Sequence, residues 1–599
     1  MTILQALDSY YHRLPGVAGP GWGPEKFGWC IILDKDGTPV AVDNLHDVSG
    51  KKPRLETHIV PAAVKRTVGI APNFLWDKSA YVLGRTAGEG KRTAQEHAAF
   101  VAMHLGRLAG QNDEGLVALR LFLENWAPER FDAAPFVPDM LDANIMFRLD
   151  GERGFLHQRP AARALVEAKT EEGDDADILC LITGERGPMA RLHPTIKGVE
   201  GAQSSGAALV SFNLDAFTSL GKEQGANAPT SEAAAFRYGA ALNRLLAGRD
   251  NRIRRPIGDA TVVFWADASD AKADETSKTK ATEVADNWFA TVLGGDITDA
   301  EEAAKVRDDL EALAIGKKLS DLRPKILPDT RFHVLGLSPN AARLSTRYWL
   351  TDDLEQFAQR LAEHHADLRM DPSPMGWGAA PSVNRLLART TALQEKFENI
   401  PPLLAGEVMR AILTGGRYPQ SLLVAVIIRL RAGDDPLSGW HAATIRAVLH
   451  RDHRIDPKKE DVPVSLAPDE PNKAYQLGRL FAVLETAQRM ALGRINATIR
   501  DRYFGAASAT PASVFPLLLR GVQNHLGKLR KSGKGGWIER EIEDILDKLS
   551  LDLPRALPLA EQGRFAVGYY HQRKDQFKAR PEAEAELAAA ESTEEGEEA

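Results

Sequence analysis

The sequence predicts an α+β N-terminal and central region followed by an all-α C-terminal helical bundle. Three observations lead there. Short β-rich runs recur as far as residue 338, helical periods are interleaved among them, and beyond about Thr351 strand signals almost vanish while apolar residues keep a helical spacing. A chain of 599 residues is too long for one ordinary core and implies about two to four domains.

Residues 3–14, ILQALDSYYHRL, read as a short amphipathic helix, because no basic start and long apolar run mark a leader. In residues 27–45 an alternating run turns at Asp36-Gly37 and alternates again, which predicts a β-hairpin. THIVPAAV is a further short strand. Two helices follow, over 93–110 and 114–128, the second closed by Pro128. Strands are then expected in ANIMFRL, DILCLIT, GAALVSF, ATVVFWA and RFHVLGLS, with a helix from about Ser231. Residues 267–285 are charged and small and suggest a surface loop or boundary. Residues 354–368, 383–397, 403–413 and 421–433 read as helices. A four-helix bundle then divides as 473–504, 510–531, 536–549 and a last helix from about Pro558, with loops at Gly505, SGKGG and the two prolines. These readings divide the chain into 1–270, 271–465, 466–580 and an acidic disordered tail, 581–599.

Hydrophobic residues at 44% and charged residues at 26% are ordinary soluble composition, and no apolar stretch reaches the roughly 20 residues of a membrane span. Cys30 and Cys180 have no CxxC or Cys/His spacing, so the expected setting is the reducing cytoplasm. The net charge of −7 counts against nucleic acid until its distribution is read. From Glu470 to Arg580 nineteen Lys plus Arg stand against eleven Asp plus Glu, and the tail after it holds eight Glu and no base. A basic domain is hidden inside an acidic whole.

Catalytic machinery for nucleic acid is missing. No G-x-x-x-x-G-K-[ST] loop exists; GKLRKSGKGG has Ser532 where the second glycine belongs. His46-Asp47 lacks spaced partners for a metal pair. Asp174, Asp175 and Asp177 follow EEG in a polar loop, and His441, His450 and His453 do not share one helical face. No cofactor or metal site is expected.

Three sets of residues are candidates for binding. In residues 65–84, KRTVGIAPNFLWDKSAYVLG, Lys65 and Arg66 precede a Pro-Asn turn and Phe74, Trp76 and Tyr81. The bases would reach phosphates, Asn73 would offer an amide to a base edge, and Trp76 would buttress the loop. An aromatic-anchored surface loop explains the same string. Upstream, GKKPR adds Lys51, Lys52 and Arg54, equally readable as a solvated charge run. A central polar set, Gln203, Ser204, Ser205, Asn213, Gln224 and Asn227, surrounds ALVSF, and Gly225, Asn227 and Pro229 suggest a shaped loop. Capping of the helix near Ser231 is the structural alternative. In the bundle Arg494, Arg500, Arg502, Lys528, Arg530, Lys531 and Lys534 would line a strand path, with Tyr503 and Phe504 for stacking, or else form a solvated surface over aromatic core.

These strings resemble the type I-C (Dvulg subtype) CRISPR-associated Cascade large-subunit family. The likeness lies in the opening ILQALDSYYHRL, in GKKPR and 65–84, in the block 204–246, in VLGLSPNAARLSTRYWL, and in AYQLGRLFAVLETAQ and RDRYFGAASATPASVFPLLL. The resemblance implies a non-enzymatic antiviral-defence subunit. Such a subunit would recognise the protospacer-adjacent motif in double-stranded DNA, start unwinding and R-loop formation, and recruit a separate helicase-nuclease. Implied partners are CRISPR RNA, target duplex and displaced single strand, and the backbone and handle-processing subunits. A small subunit translated from within the same message is implied as well, and Met490, the last methionine, is a candidate start, with Val483 an upstream alternative. A metal-dependent nuclease using the Asp174 carboxylates or the His450 region is the competing class, and a scaffold without DNA contact the third.

Overall fold

The computed structural model describes residues 1–14, 19–47, 54–64, 66, 69–171, 177–212, 214–294, 300–374, 376–378, 380–392, 394, 396–493, 495–549 and 553–578. The chain forms two compact units. One comprises Met1–Ile196 and Ala208–Asn243, the other Lys197–Ala207 and Arg244–Ala599.

The first unit is built on a four-stranded sheet ordered Pro39–Asn44, Trp29–Leu33, Asn144–Leu149, Trp76–Lys78. The predicted hairpin forms its first pair, with Gly37 at φ 78° in the turn and Ile31 opposite Val42. Trp29–Leu33 also runs parallel to Asn144–Leu149, placing Ile31 beside Phe147. All five of its residues are buried, so both faces of the strand are covered. Helices Thr93–Leu108 and Glu114–Asn125 contribute Phe100, Leu116, Leu119 and Phe122 to the core with Ile31, Leu33 and Phe147. Asp113 caps the second helix by accepting from Leu116 N at 3.1 Å. A separate ribbon pairs Trp22–Phe27 with Arg54–Pro61, Pro24 opposite Ile59, and His46–Asp47 adds its short third strand. The N-terminal helix is Ile3–Tyr11, with a Thr2/Gln5 capping box and Asp8 accepting from Arg237 at 2.6 Å.

In the second unit Thr261–Asp267, Arg331–Asn340 and Arg343–Asp353 run antiparallel. Phe264, Phe332, Phe289 and Phe357 join the strands to helices Glu275–Gly294 and Leu354–Asp367. From there the chain is helical. Helix Trp440–Ile455 places Arg451 against Asp367 at 2.5 Å with both side chains buried. Helices Lys473–Leu492, Ile499–Ala509, Pro511–Lys531, Gly536–Lys548 and Leu559–Lys578 form the C-terminal bundle.

Some expectations are corrected. The charged stretch 267–285 becomes helix from Glu275, because Ala281, Ala285, Trp288, Phe289, Val292 and Leu293 supply a buried stripe and Asp274 caps it through Ser277. The strand expected at 206–212 shrinks to Ala207–Ala208, and that at 177–183 to Asp177–Leu179. The helix expected at 383–397 stops at Ala388. The first bundle helix is two helices, broken at Gly493 and restarted by a Thr498/Asp501 capping box, while Gly505 lies inside the second of them. His46 lies in a short strand, and His441 is buried. Among the described residues no helix is long and apolar enough to cross a membrane.

Candidate nucleic-acid interface

The segment leading into Trp76–Lys78 is tied to one carboxylate. Asp77 is fully buried; its Oδ2 accepts from Arg66 and from Asn73 N at 2.8 Å, and its Oδ1 from Lys78 N at 2.8 Å. Burial pushes its carboxyl above the usual range, and the Arg66 guanidinium pulls it back. Arg66 also donates to Ala71 O at 2.7 Å and lies 4.1 Å over the Tyr81 ring. Asn73 is 4% exposed, and its Oδ1 accepts from Val64 N at 2.9 Å, closing the loop between Val64 and Asn73. The amide expected to face a base edge therefore spends its oxygen inside the loop. Trp76 donates Nε1–H to Pro61 O at 2.7 Å and buttresses the loop against the ribbon.

Leu75, just before Trp76, sits at φ 65°, a conformation side chains disfavour, and donates its N–H to His104 Nε2 at 2.9 Å. Because His104 Nδ1 lies 2.8 Å from Phe100 O, its proton sits on Nδ1 and Nε2 is the acceptor. Burial holds its pKa down to about 3. A neutral imidazole thus fixes the strained corner beside the loop. Alongside runs an open cleft of about 590 Å³, lined among others by Pro61, Ala62, Val64, Pro72, Phe74 and Arg107, with the Arg107 guanidinium 3.5 Å over the Phe74 ring. Arg54 is exposed on the ribbon. Lys51, Lys52 and Lys65 lie outside the described residues.

The central set is divided between the two units. Gln203, Ser204 and Ser205 are exposed at a turn of the second, where Gly206 N donates to Gln203 O at 2.9 Å. Gln224 is exposed in the first unit, and Asn227 spends its side chain on the backbone of Ser219, Lys222 and Gln224. Ser231 caps helix Glu232–Ala247 through Ala234 N at 3.4 Å. Asn213 lies outside the described residues. Of the acidic set, Asp177 pairs with Arg186 at 3.6 Å on an exposed ribbon, while Asp174 and Asp175 are not described. His450 is 2.6 Å from Asp461 and His453 bonds Lys459 O. Among the described residues no three His, Cys, Asp or Glu side chains are grouped to hold a metal ion.

On the bundle, Arg502, Lys528, Lys531 and Lys534 are exposed, whereas Arg530 is held by Glu539 at 2.6 Å and Arg500 by Asp435 and Asp501. Arg494 is not described. Phe504 is in the aromatic core with Phe481, Phe565 and Tyr569, which removes it from stacking on a ligand. Helix Pro511–Lys531 shows two residues the sequence reading missed: Arg520 and Asn524 share the exposed face of Lys528 and Lys531, at successive offsets of 4, 4 and 3. The helical rise spaces such positions by about 6 Å, close to a single strand's phosphate repeat. Helical periodicity on the exposed side was the available signal.

A search of curated proteins finds no match to this chain. A family model described as "CRISPR-associated protein (Cas_Csd1)" matches residues 7–577. That span takes in both units, the Asp77-centred loop and every helix of the bundle, so the chain belongs to the CRISPR-associated Csd1 family, the large subunit of the type I-C Cascade.

Proposed function

We propose that this chain reads the short motif flanking a target in double-stranded DNA, opens the duplex beside it and recruits a helicase-nuclease, without cleaving DNA itself. Its partners in this reading are CRISPR RNA, the backbone and handle-processing subunits, the displaced strand and an internally translated small subunit, all in the cytoplasm. Support for the reading comes first from the family, a structural subunit of Cascade, and from the general logic of RNA-guided recognition, in which base pairing reads the target and protein reads a short flanking motif.

One observation carries the assignment of the reading element: Pro61, Val64, Arg66 and Asn73 are tied together from beneath through Trp76, Asp77 and the Asn73 amide. Preorganisation lowers the cost of binding for a loop that must present one shape to a groove. In this reading Arg66 and Asn73 set the loop's shape, and Lys51, Lys52, Arg54 and Lys65 supply phosphate contacts. Gln203, Ser204, Ser205 and Asn213 would follow guide RNA or DNA backbone, whereas Gln224 lends its carbonyl to the Asn227 clamp. The exposed bundle cations, joined by Arg520, would follow the displaced strand. The deciding experiment measures binding of the assembled complex to duplexes differing only in the flanking triplet. A preference that disappears when the 65–73 segment is replaced by a glycine-serine linker supports the reading; an unaltered preference overturns it.

A further inference from the structure

In the first unit, residues 219–222 form a tight turn closed by Lys222 N to Ser219 O at 2.9 Å. Its two central residues, Leu220 and Gly221, have φ of 52° and 70°, as a type I′ turn requires. Asn, Asp and Gly are the residues that tolerate the first of those positions; leucine carries a steric penalty there. This leucine is 94% exposed. The fold therefore holds a strained apolar side chain almost wholly in water.

The turn is not loose. Asn227 accepts from Ser219 N at 3.1 Å and donates to Lys222 O and Gln224 O, each at 3.0 Å. Gln224 is a second residue at positive φ, 43°. Gly225 anchors the loop by donating to Arg191 O at 3.2 Å, and a Cβ there would overlap the carbonyl oxygen of Ala190. Two strained residues, a three-bond amide clamp and a backbone approach open only to glycine all serve to present one leucine. Strain retained in this way belongs to sites that use it.

The same stretch is apolar elsewhere on its surface. Leu179, Leu181, Leu192 and Leu214 are 58%, 64%, 74% and 55% exposed, so five exposed leucines fall between residues 179 and 220. Between residues 177 and 223 the exposed bases Arg186, Arg191, Lys197 and Lys222 stand against the exposed acids Asp177, Glu185, Glu200, Asp215 and Glu223. A nucleic-acid surface draws its affinity from an excess of base, which is absent here. We infer that Leu220 is a preformed anchor for another protein subunit of the assembly, seating in an apolar socket with a charge-balanced rim. An apolar side chain already held in one conformation loses little freedom on seating in a partner's pocket, which is what preorganisation contributes to binding. This inference rests on the chain's membership of a multi-subunit complex and is independent of the motif-reading loop.

The test uses the full chain, titrated onto the subassembly of guide RNA and the remaining protein subunits, with incorporation followed by size exclusion and mass spectrometry. Leu220→Gly removes the anchor and the strain together, and Leu220→Lys opposes an apolar socket. Both should weaken incorporation by about thirtyfold or more, the factor a central anchor carries. Isolated Leu220→Gly should melt no lower than the parent, which separates a missing anchor from a failure to fold. Parent-like incorporation of both variants overturns the inference. So does parent-like incorporation with weakened DNA or RNA binding, because the ligand would then be nucleic acid.

Discussion

Gly478 and Gly568 let two helices touch backbone to backbone. Gly478, on Lys473–Leu492, lies against the carbonyl of Phe565, and Gly568, on Leu559–Lys578, lies against the carbonyl of Tyr475. Neither carbonyl leaves room for a methyl group.

Alanine at either position should therefore destabilise the bundle, although alanine is the better helix former. Overpacking costs about 1–3 kcal/mol and more when the obstacle is backbone, against a propensity gain of about 1 kcal/mol. Gly521 supplies the contrast, because it lies inside helix Pro511–Lys531 with nothing within 4 Å of an added Cβ. Gly521→Ala should raise the melting temperature while Gly478→Ala and Gly568→Ala lower it. Thermal melts in which all three moved alike would contradict the backbone approach.

Arg520, Lys528 and Lys531 should act additively on a single strand. Each charge-removing substitution to Gln should weaken single-stranded DNA binding and flatten its logarithmic salt dependence by about 0.7 for each phosphate no longer neutralised. Arg530→Gln should do less, since Glu539 already neutralises that guanidinium. Equal slopes for parent and triple variant would remove this face from the strand path.

The class of fold was legible because periodicity changes along the chain, and the bundle was legible because amphipathic helices announce themselves. Less visible was anything decided by tertiary packing. Residues 267–285 looked like a surface loop, yet from Glu275 they begin a helix whose Trp288 and Phe289 share one core with Phe264 and Leu310. Asn73 read as a base reader because a side-chain amide beside a proline signals a turn but not which way the amide faces. Phe504 looked available because an aromatic residue among arginines has the same sequence whether it stacks on a ligand or on Phe565. Leu220 left no sequence signal at all, since its strain is a backbone angle.

Asp77→Asn should disturb motif discrimination although residue 77 is fully buried and unable to touch DNA. The substitution removes the charge that Arg66 and Asn73 N converge on, and charge-assisted hydrogen bonds of this kind contribute about 1.5–3 kcal/mol each. Affinity for duplexes should fall and the preference among flanking triplets should narrow. Retention of the full preference with an intact melt would make the loop's bracing irrelevant to recognition.

Acid should loosen the corner beside that loop. His104 has a folded pKa of about 3 against an ordinary 6.5, so between those values the unfolded chain binds the proton that the folded chain refuses. Its contribution is whole above pH 6.5 and is lost progressively as pH falls toward 3. His571, buried, and His365, half-buried, each with a pKa lowered to about 4 by desolvation, add the same sign in the second unit. Denaturant midpoints should fall steadily from pH 7 to pH 4.5, and His104→Gln should flatten part of that slope. A parent profile flat across this range would refute the neutral, buried imidazole.

An internally translated product would be constrained by a buried polar seam. Helix Lys473–Leu492 is the bundle's central strut, with fifteen of its twenty residues buried. Arg479 donates to Gln572 at 2.7 Å and to Glu541 at 3.0 Å, Glu485 accepts from Tyr569 at 2.5 Å, and Arg573 donates to Thr486 at 2.7 Å. A product starting at Met490 keeps Tyr569, Gln572 and Arg573 but lacks Arg479, Glu485 and Thr486, their partners on that helix, and it bares the apolar faces that Leu477, Leu480, Phe481 and Leu484 cover. Unpartnered buried polar groups cost about 1–3 kcal/mol each, more when charged, which a fragment of this size does not withstand. Starting at Val483 restores Glu485 and Thr486 while leaving Arg479 and Gly478 behind. The helix begins at its Asn472 cap, whose side chain accepts from Tyr475 N at 3.0 Å and donates to Glu460 and Glu561. A stable small subunit should therefore begin at or before residue 472. Expression of the intact coding sequence with a C-terminal tag, followed by mass spectrometry of the short product, reads the start directly. Fragments 466–599 and 490–599 made separately should differ, the first melting cooperatively and the second not; a cooperative melt from the shorter fragment would show that the seam is dispensable.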